Sequence, residues 1–213
     1  TLIIPLTLIL GPALPDIIIT LIGISFIILN FRNLKDVFEK YKIFTIFFFL
    51  FWLYLLFNTL ISFDPHLSLE RSLPFVRFYF FSLAFNEILN DPKKFNYIIA
   101  SCFITIFFVI FDLIYQFIFL EDIFSFKPQH SNTRFQGPFN EEFIAGSFLI
   151  KFSLIPMGLL FMKKNYFRYW FAAVLILAIL ITGERMALII SVLAYIFFSF
   201  LYDFRKSSII SFV

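Results

Sequence analysis

Two short stretches of this chain carry residues suited to chemistry inside an otherwise apolar sequence. The first is a polar island, His130-Ser131-Asn132-Thr133-Arg134-Phe135-Gln136-Gly137-Pro138-Phe139-Asn140-Glu141-Glu142. Within it Arg134, Gly137 and Asn140 are spaced three apart, so a helical stretch would set them on one face. If Pro138 instead opens the next helix, Arg134 precedes its N-terminus. There, free N–H groups and the helix dipole favour an anion, and a guanidinium adds a planar fork that matches phosphate oxygens. The other reading is an interfacial Arg that reaches lipid headgroups or pairs with Glu141 or Glu142. The second stretch is Thr182-Gly183-Glu184-Arg185, ahead of the apolar run Met186–Tyr202. A charge near hydrocarbon is costly unless it is paired or faces a polar cavity. Glu184 could neutralise Arg185, although neighbours in a helix do not face each other.

Other titratable residues extend this pattern more weakly. Arg71 closes an outer segment that begins at Ser62, and Arg77 lies further along the following apolar run. Each is read either as part of a cationic cleft or as a structural pair with Glu70. Lys151 poses the same question two turns into the run after the island. His66 and His130 have the pKa range of a base at neutral pH, but a lone loop His is usually solvated. No metal-ligand spacing, Walker-type glycine loop or nucleophile elbow is present, so neither a metal nor a cofactor is expected.

The elements that must position these residues lie in a membrane. The chain is 61% hydrophobic, 23% aromatic and 15% charged, with a mean hydropathy of +0.94, far from the composition of a soluble domain. Long, unalternating apolar runs point to helices rather than a barrel. The expected fold class is all-α, a polytopic integral membrane helical bundle forming a single domain over residues 1–213. The runs fall at roughly 1–11, 16–31, 43–61, 72–86, 97–120, 143–162, 169–182 and 186–202, with a ninth beginning near 207. They predict about eight to nine transmembrane segments, several of them short enough to require tilt or shielding by neighbours. Pro74 and Pro156 fall inside runs, where each should kink or break a helix. The 37 Phe residues are read as compositional bias, and the single Cys102 as a packing residue.

Charge sets the orientation. Basic residues gather in 31–42, 87–96, 163–169 and 203–206, which are assigned to the cytoplasm. The segments 11–16, 62–71, 121–142 and 182–185 alternate with them and face outward, placing the island and Arg185 on one membrane side. This topology accounts for the net charge of +3, and no nucleic-acid partner is expected. The chain opens at Thr1 without Met and stops at Val213 inside an apolar run. It reads as a piece of a longer protein whose first run is not a cleavable leader.

Arg134-Phe135-Gln136-Gly137-Pro138-Phe139-Asn140, followed by an apolar helix and then by Thr182-Gly183-Glu184-Arg185 heading another, resembles the O-antigen ligase and O-antigen polymerase superfamily of bacterial envelope glycosyltransferases. The turn Gly11-Pro12-Ala13-Leu14-Pro15-Asp16 and the stretch Ser62–Arg77 are similar to the early part of such proteins. The more usual family pattern has Ser where Glu184 stands and a small residue where Met186 stands. The resemblance implies about ten to twelve helices with a large late outer loop. It also implies transfer of a glycan from an undecaprenyl diphosphate donor, in lipopolysaccharide biosynthesis. The acceptor would be lipid A-core for a ligase or another repeat unit for a polymerase, at the periplasmic face of the bacterial inner membrane. Arg134 and Arg185 match the family's diphosphate-binding arginines, with Arg71, Arg77, Gly137 and Asn140 as further substrate-binding candidates. The family's catalytic His is expected in the late loop, beyond Val213. A transporter or flippase of an anionic substrate is the alternative class.

Overall fold

The apolar runs become helices, and the charged segments between them are partly helical too. A computed structural model describes residues 4–11, 13–128, 134–140, 142–163 and 166–204. In chain order its helices are α1 (Ile4–Thr7), α2 (Ala13–Leu29), α3 (Leu34–Lys40), α4 (Lys42–Ile61), α5 (Pro65–Ser72), α6 (Val76–Leu89), α7 (Pro92–Phe119), α8 (Ala145–Met162), α9 (Phe167–Thr182) and α10 (Arg185–Ser199). Short 3-10 turns lie at Leu8–Leu10, Phe31–Asn33, Leu73–Phe75 and Gly137–Phe139. Among the described residues there is no strand, so the all-α class holds.

Four helical stretches are long and apolar enough to cross a bilayer: α4, α7, α8 and Arg185–Tyr202. The pair Ala13–Leu29 and Phe31–Lys40, bent by 71°, raises the number to five if counted as one broken span. Eight to nine segments were expected from the apolar runs. The difference lies in short elements: α1 in the first run has 4 residues, α6 has 14 and α9 has 16, below the length of about 20 that an untilted span needs. The ninth run, from 207, lies outside the described residues.

The described chain divides into two compact units, with the division falling at Asn96 inside α7. In the unit spanning Pro12–Asn96, α2 packs along α6. Gly23 permits the approach: a Cβ there would sit 3.4 Å from Phe80 Cβ and 3.5 Å from the Arg77 carbonyl oxygen, the small-residue contact typical of membrane helices. Tyr79 is fully buried and ringed by Phe44, Phe48, Phe49 and Phe80, with ring centroids 5.1–5.8 Å away. Its hydroxyl lies 2.7 Å from Thr45 Oγ1. Part of the Phe excess is therefore core. The basic segment 31–42, expected as a loop, contains α3. Val37 and Phe38 join the Tyr79 cluster, while Lys35, Asp36, Glu39 and Lys40 stay exposed, an amphipathic pattern. Asp64 caps α5 by accepting from Leu67 N–H at 3.1 Å, with Pro65 in the first turn, as caps and helix-starting prolines do. Pro74 falls in the 3-10 turn that separates α5 from α6.

In the other unit, Leu2–Gly11 with Tyr97–Val213, α8, α9 and α10 pack on one another. Pro156 is accommodated inside α8, which runs on past it to Met162. Helix α7 has 28 residues and a length of about 42 Å at 1.5 Å per residue, more than the hydrocarbon thickness of about 30 Å. One face of it is buried, and that face is not wholly apolar: Ser101, Thr105, Asp112 and Gln116 lie on it.

Candidate functional site

The turn from α9 to α10 is built by local hydrogen bonds. Thr182 Oγ1 donates to the Ile179 carbonyl at 2.7 Å and accepts from Glu184 N–H at 3.2 Å. Gly183 closes α9 in the left-handed conformation, φ 73°, which costs glycine little. Glu184 is then extended, and α10 starts at Arg185.

Glu184 does not neutralise Arg185. Its carboxylate reaches to the start of α8, where Oε1 accepts from Gly146 N–H at 2.6 Å. Oε2 accepts from Ser147 N–H at 3.0 Å and from Ser147 Oγ at 2.7 Å. Helix N-termini carry unsatisfied N–H groups and a partial positive charge, so an anion is stabilised there; the chain supplies its own. Gly146 makes room for it. A Cβ at that position would lie 2.9 Å from Thr182 Oγ1, 3.0 Å from Glu184 Cδ and 3.1 Å from Ala187 Cβ.

Arg185, left without that carboxylate, is exposed and lines a cavity of about 380 Å³ together with Arg134, Gly183, Glu184, Ile179, Leu180 and Leu188. The two arginines singled out from sequence thus share one cavity. Arg134 is also exposed, and its guanidinium lies 5.5 Å from the Phe143 ring centroid, within cation–π range. Among the described residues neither guanidinium has an ion-pair partner. The proposed pairing of Arg134 with Glu142 is absent, and Glu141 lies outside the described residues.

The geometry expected around Arg134 is corrected in two respects. Arg134, Gly137 and Asn140 do not share a helix face: only Gly137–Phe139 form a 3-10 turn, Gly137 is buried and Asn140 is exposed at its exit with φ 54°. Nor does Pro138 open the next helix, which begins at Ala145. The reason is a set of polar anchors on α7. Gly137 N–H donates to Gln116 Oε1 at 2.9 Å, and Gln116 Nε2 donates to the Phe126 carbonyl at 3.3 Å. Asp112 Oδ1 accepts from Ile123 N–H at 2.9 Å. Asp122 Oδ1 accepts from Phe126 N–H at 2.6 Å, and Gln136 Nε2 donates to the Lys127 carbonyl at 3.0 Å. Asp112 and Gln116 hold Ile123, Phe126 and Gly137 against α7, while Asp122 and Gln136 tie described residues beyond α7 to one another. Gly137 is needed there: its φ is +57°, and a Cβ would lie 3.1 Å from Leu113 Cγ and Cδ2. Burial pushes the Asp122 carboxyl above the usual carboxylate range, opposed by the hydrogen bond from Phe126 N–H.

The remaining candidates sit elsewhere. Arg77 Nη2 meets Asp16 Oδ2 at 2.7 Å, so its structural partner is Asp16 rather than Glu70. Arg71 is exposed and lines a separate cavity of about 360 Å³ with Ser62, Asp64, Leu67, Ser68 and Ser72. His66 Nδ1 lies 3.9 Å from Glu70 Oε1 at the surface, Lys151 is exposed on α8, and His130 lies outside the described residues. Among the described residues no three His, Cys, Asp or Glu come together as metal ligands would. Sequence reasoning missed Asp112, Gln116, Asp122, Gln136 and the clamp made by Glu184. The signal available was the helical spacing of Ser101, Thr105, Asp112 and Gln116 within an apolar run.

Comparison with known proteins yields no matching family model, curated protein or solved structure.

Proposed function

We propose that this protein is an O-antigen ligase-like glycosyltransferase that moves a glycan from undecaprenyl diphosphate to lipid A-core at the periplasmic face of the bacterial inner membrane. In this reading the broken pair counts as one span and the first apolar run, α6 and α9 also cross, giving eight segments, with the run from 207 as a ninth. One observation carries the proposal: Arg134 and Arg185 line the same cavity, with the acidic side chain in its wall, Glu184, committed to α8. Displacing a lipid diphosphate requires stabilisation of negative charge as the leaving group departs. Fixed guanidinium groups supply it without proton bookkeeping, and bidentate contacts orient the phosphates. Arg185 also occupies the first position of α10, whose end receives no side-chain cap, so the helix dipole adds to the attraction. Ile179, Leu180 and Leu188 on the same walls suit the start of a polyprenyl tail.

The test is glycan transfer by the full-length protein in liposomes, with an undecaprenyl diphosphate-linked donor and lipid A-core. Arg134→Ala and Arg185→Ala should each lower transfer by about 10²–10³-fold, the usual cost of removing one preorganised charge-stabilising group. Wild-type transfer by either variant would sink the reading. Lengthened lipid-linked chains would reassign the protein as a polymerase, and donor appearing intact on the far side of the bilayer would make it a flippase.

A further inference from the structure

We propose that Glu184 is a positioning residue for the diphosphate site, acting by holding its own charge away from Arg185; the inference rests on the anion-binding reading above. Glu184 lines the cavity that contains Arg134 and Arg185. A carboxylate in such a wall would ordinarily pair with the adjacent guanidinium and repel a phosphate. Here both oxygens are taken by three donors at the start of α8, at 2.6, 3.0 and 2.7 Å. The same bonds tie the α9–α10 turn to α8, and Gly146 is the only residue type that leaves space for the approach without displacing Thr182 or Glu184. The clamp therefore does two things at once. It satisfies the Gly146 and Ser147 N–H groups, and it fixes the backbone from which Arg185 projects, with the guanidinium unpaired among the described residues and open to an anion.

Side-chain length separates this role from a charge effect. Asp at 184 keeps the charge but is one methylene too short to reach Gly146 and Ser147, so the freed carboxylate turns on Arg185. Gln keeps the reach and can still accept from Gly146 N–H, while carrying no charge. The measurement is calorimetric binding of inorganic pyrophosphate to the full-length protein in detergent micelles, with thermal unfolding recorded alongside. Glu184→Asp should weaken binding by about tenfold or more, the effect of losing hydrogen bonds to a charged group, and Glu184→Gln by much less. Ser147→Ala, which removes one donor and leaves the helix intact, should weaken binding modestly in the wild type and not at all in the Glu184→Asp background.

Tighter binding by Glu184→Gln with unchanged binding by Glu184→Asp would overturn the proposal in favour of simple charge. Unchanged affinity in all variants, with only the melting temperature lowered, would overturn it in favour of a purely structural clamp. Should Glu184→Asp fail to fold, additive losses for Ser147→Ala and Glu184→Gln would overturn it equally. Absence of pyrophosphate binding by the wild type would remove the anion-binding reading itself, and this inference with it.

Discussion

Arg77 meets Asp16 at 2.7 Å, a partner 61 residues earlier in the chain, whereas Arg185, with Glu184 beside it in sequence, has no carboxylate among the described residues. The unit that holds Arg77 has an aromatic core centred on Tyr79, and the guanidinium is tied across the α2–α6 packing to Asp16. The region around Arg185 is held by polar side chains spent on backbone N–H groups: Glu184 on α8, Asp112 on Ile123 and Gln116 on Gly137. The difference teaches what makes an Arg available. It is decided by what the nearby carboxylates are already bonded to, and sequence adjacency is a poor guide to that. A paired guanidinium stabilises the fold; an unpaired one in a cavity is free to bind an anion.

Tyr79→Ala should have the largest effect on stability. It leaves a void among Phe44, Phe48, Phe49 and Phe80, and truncations of buried aromatics cost about 3–5 kcal/mol. Unfolding in detergent micelles should show this loss, while transfer per folded molecule stays near wild type. Arg185→Ala should show the reverse, little change in unfolding with transfer lowered by about 10²–10³-fold. If Tyr79→Ala abolished transfer in molecules that remained folded, the division between a packing region and a binding region would fail.

Gln116→Leu comes next. It preserves volume approximately and removes the acceptor for Gly137 N–H and the donor to the Phe126 carbonyl. A buried group left unsatisfied costs about 1–3 kcal/mol. The loss should be local, read as faster proteolysis between 120 and 140 with the helices intact, and as weaker pyrophosphate binding through Arg134. Protection equal to wild type would show that Gln116 does not anchor this segment.

These two substitutions also mark where the sequence was legible. The all-α class was readable because hydropathy acts over whole runs: 43–61 became Lys42–Ile61, 143–162 became Ala145–Met162 and 169–182 became Phe167–Thr182. Arg134 and Arg185 were both legible as candidates, since each is a charge beside an apolar run, and the structure brings them to one cavity. The polar anchors were not. A Gln inside an apolar run shows that a partner is needed but does not say which N–H supplies it, and Gly137 lies 21 residues beyond Gln116. The role of Glu184 was hidden for the same reason, because its donors lie 37 and 38 residues earlier. Asp16 could not be matched to Arg77 until α2 and α6 were known to pack together.

The Asp16–Arg77 pair should contribute less. Its side chains are 49% and 29% exposed, so solvent screens the interaction, and a double-mutant cycle with Asp16→Asn and Arg77→Met should return a coupling of about 1 kcal/mol or below. Arg77→Met should leave transfer within a few-fold of wild type, in contrast to Arg185→Ala. A loss comparable to that of Arg185→Ala would move Arg77 into the substrate site.

The smallest effect belongs to Asp122 and is visible only against pH. Burial raises its pKa above the unfolded value, so the folded state disfavours the ionised carboxylate. The sign follows directly: the contribution is fully present below the unfolded value of about 4 and is lost as pH rises through the higher folded value. Asp122 Oδ2 is buried with no partner among the described residues, which is why ionisation is unfavourable there, while Oδ1 keeps the Phe126 N–H. Asp122→Asn retains an acceptor for that N–H and cannot ionise. The stability difference between variant and wild type should therefore shift in favour of the variant as pH rises across the window, and be flat above it. A difference independent of pH would mean that water reaches the carboxylate. The segment before Arg134 would then be solvated, and the contrast between a region packed by aromatic rings and one held by buried polar bonds would lose its second half.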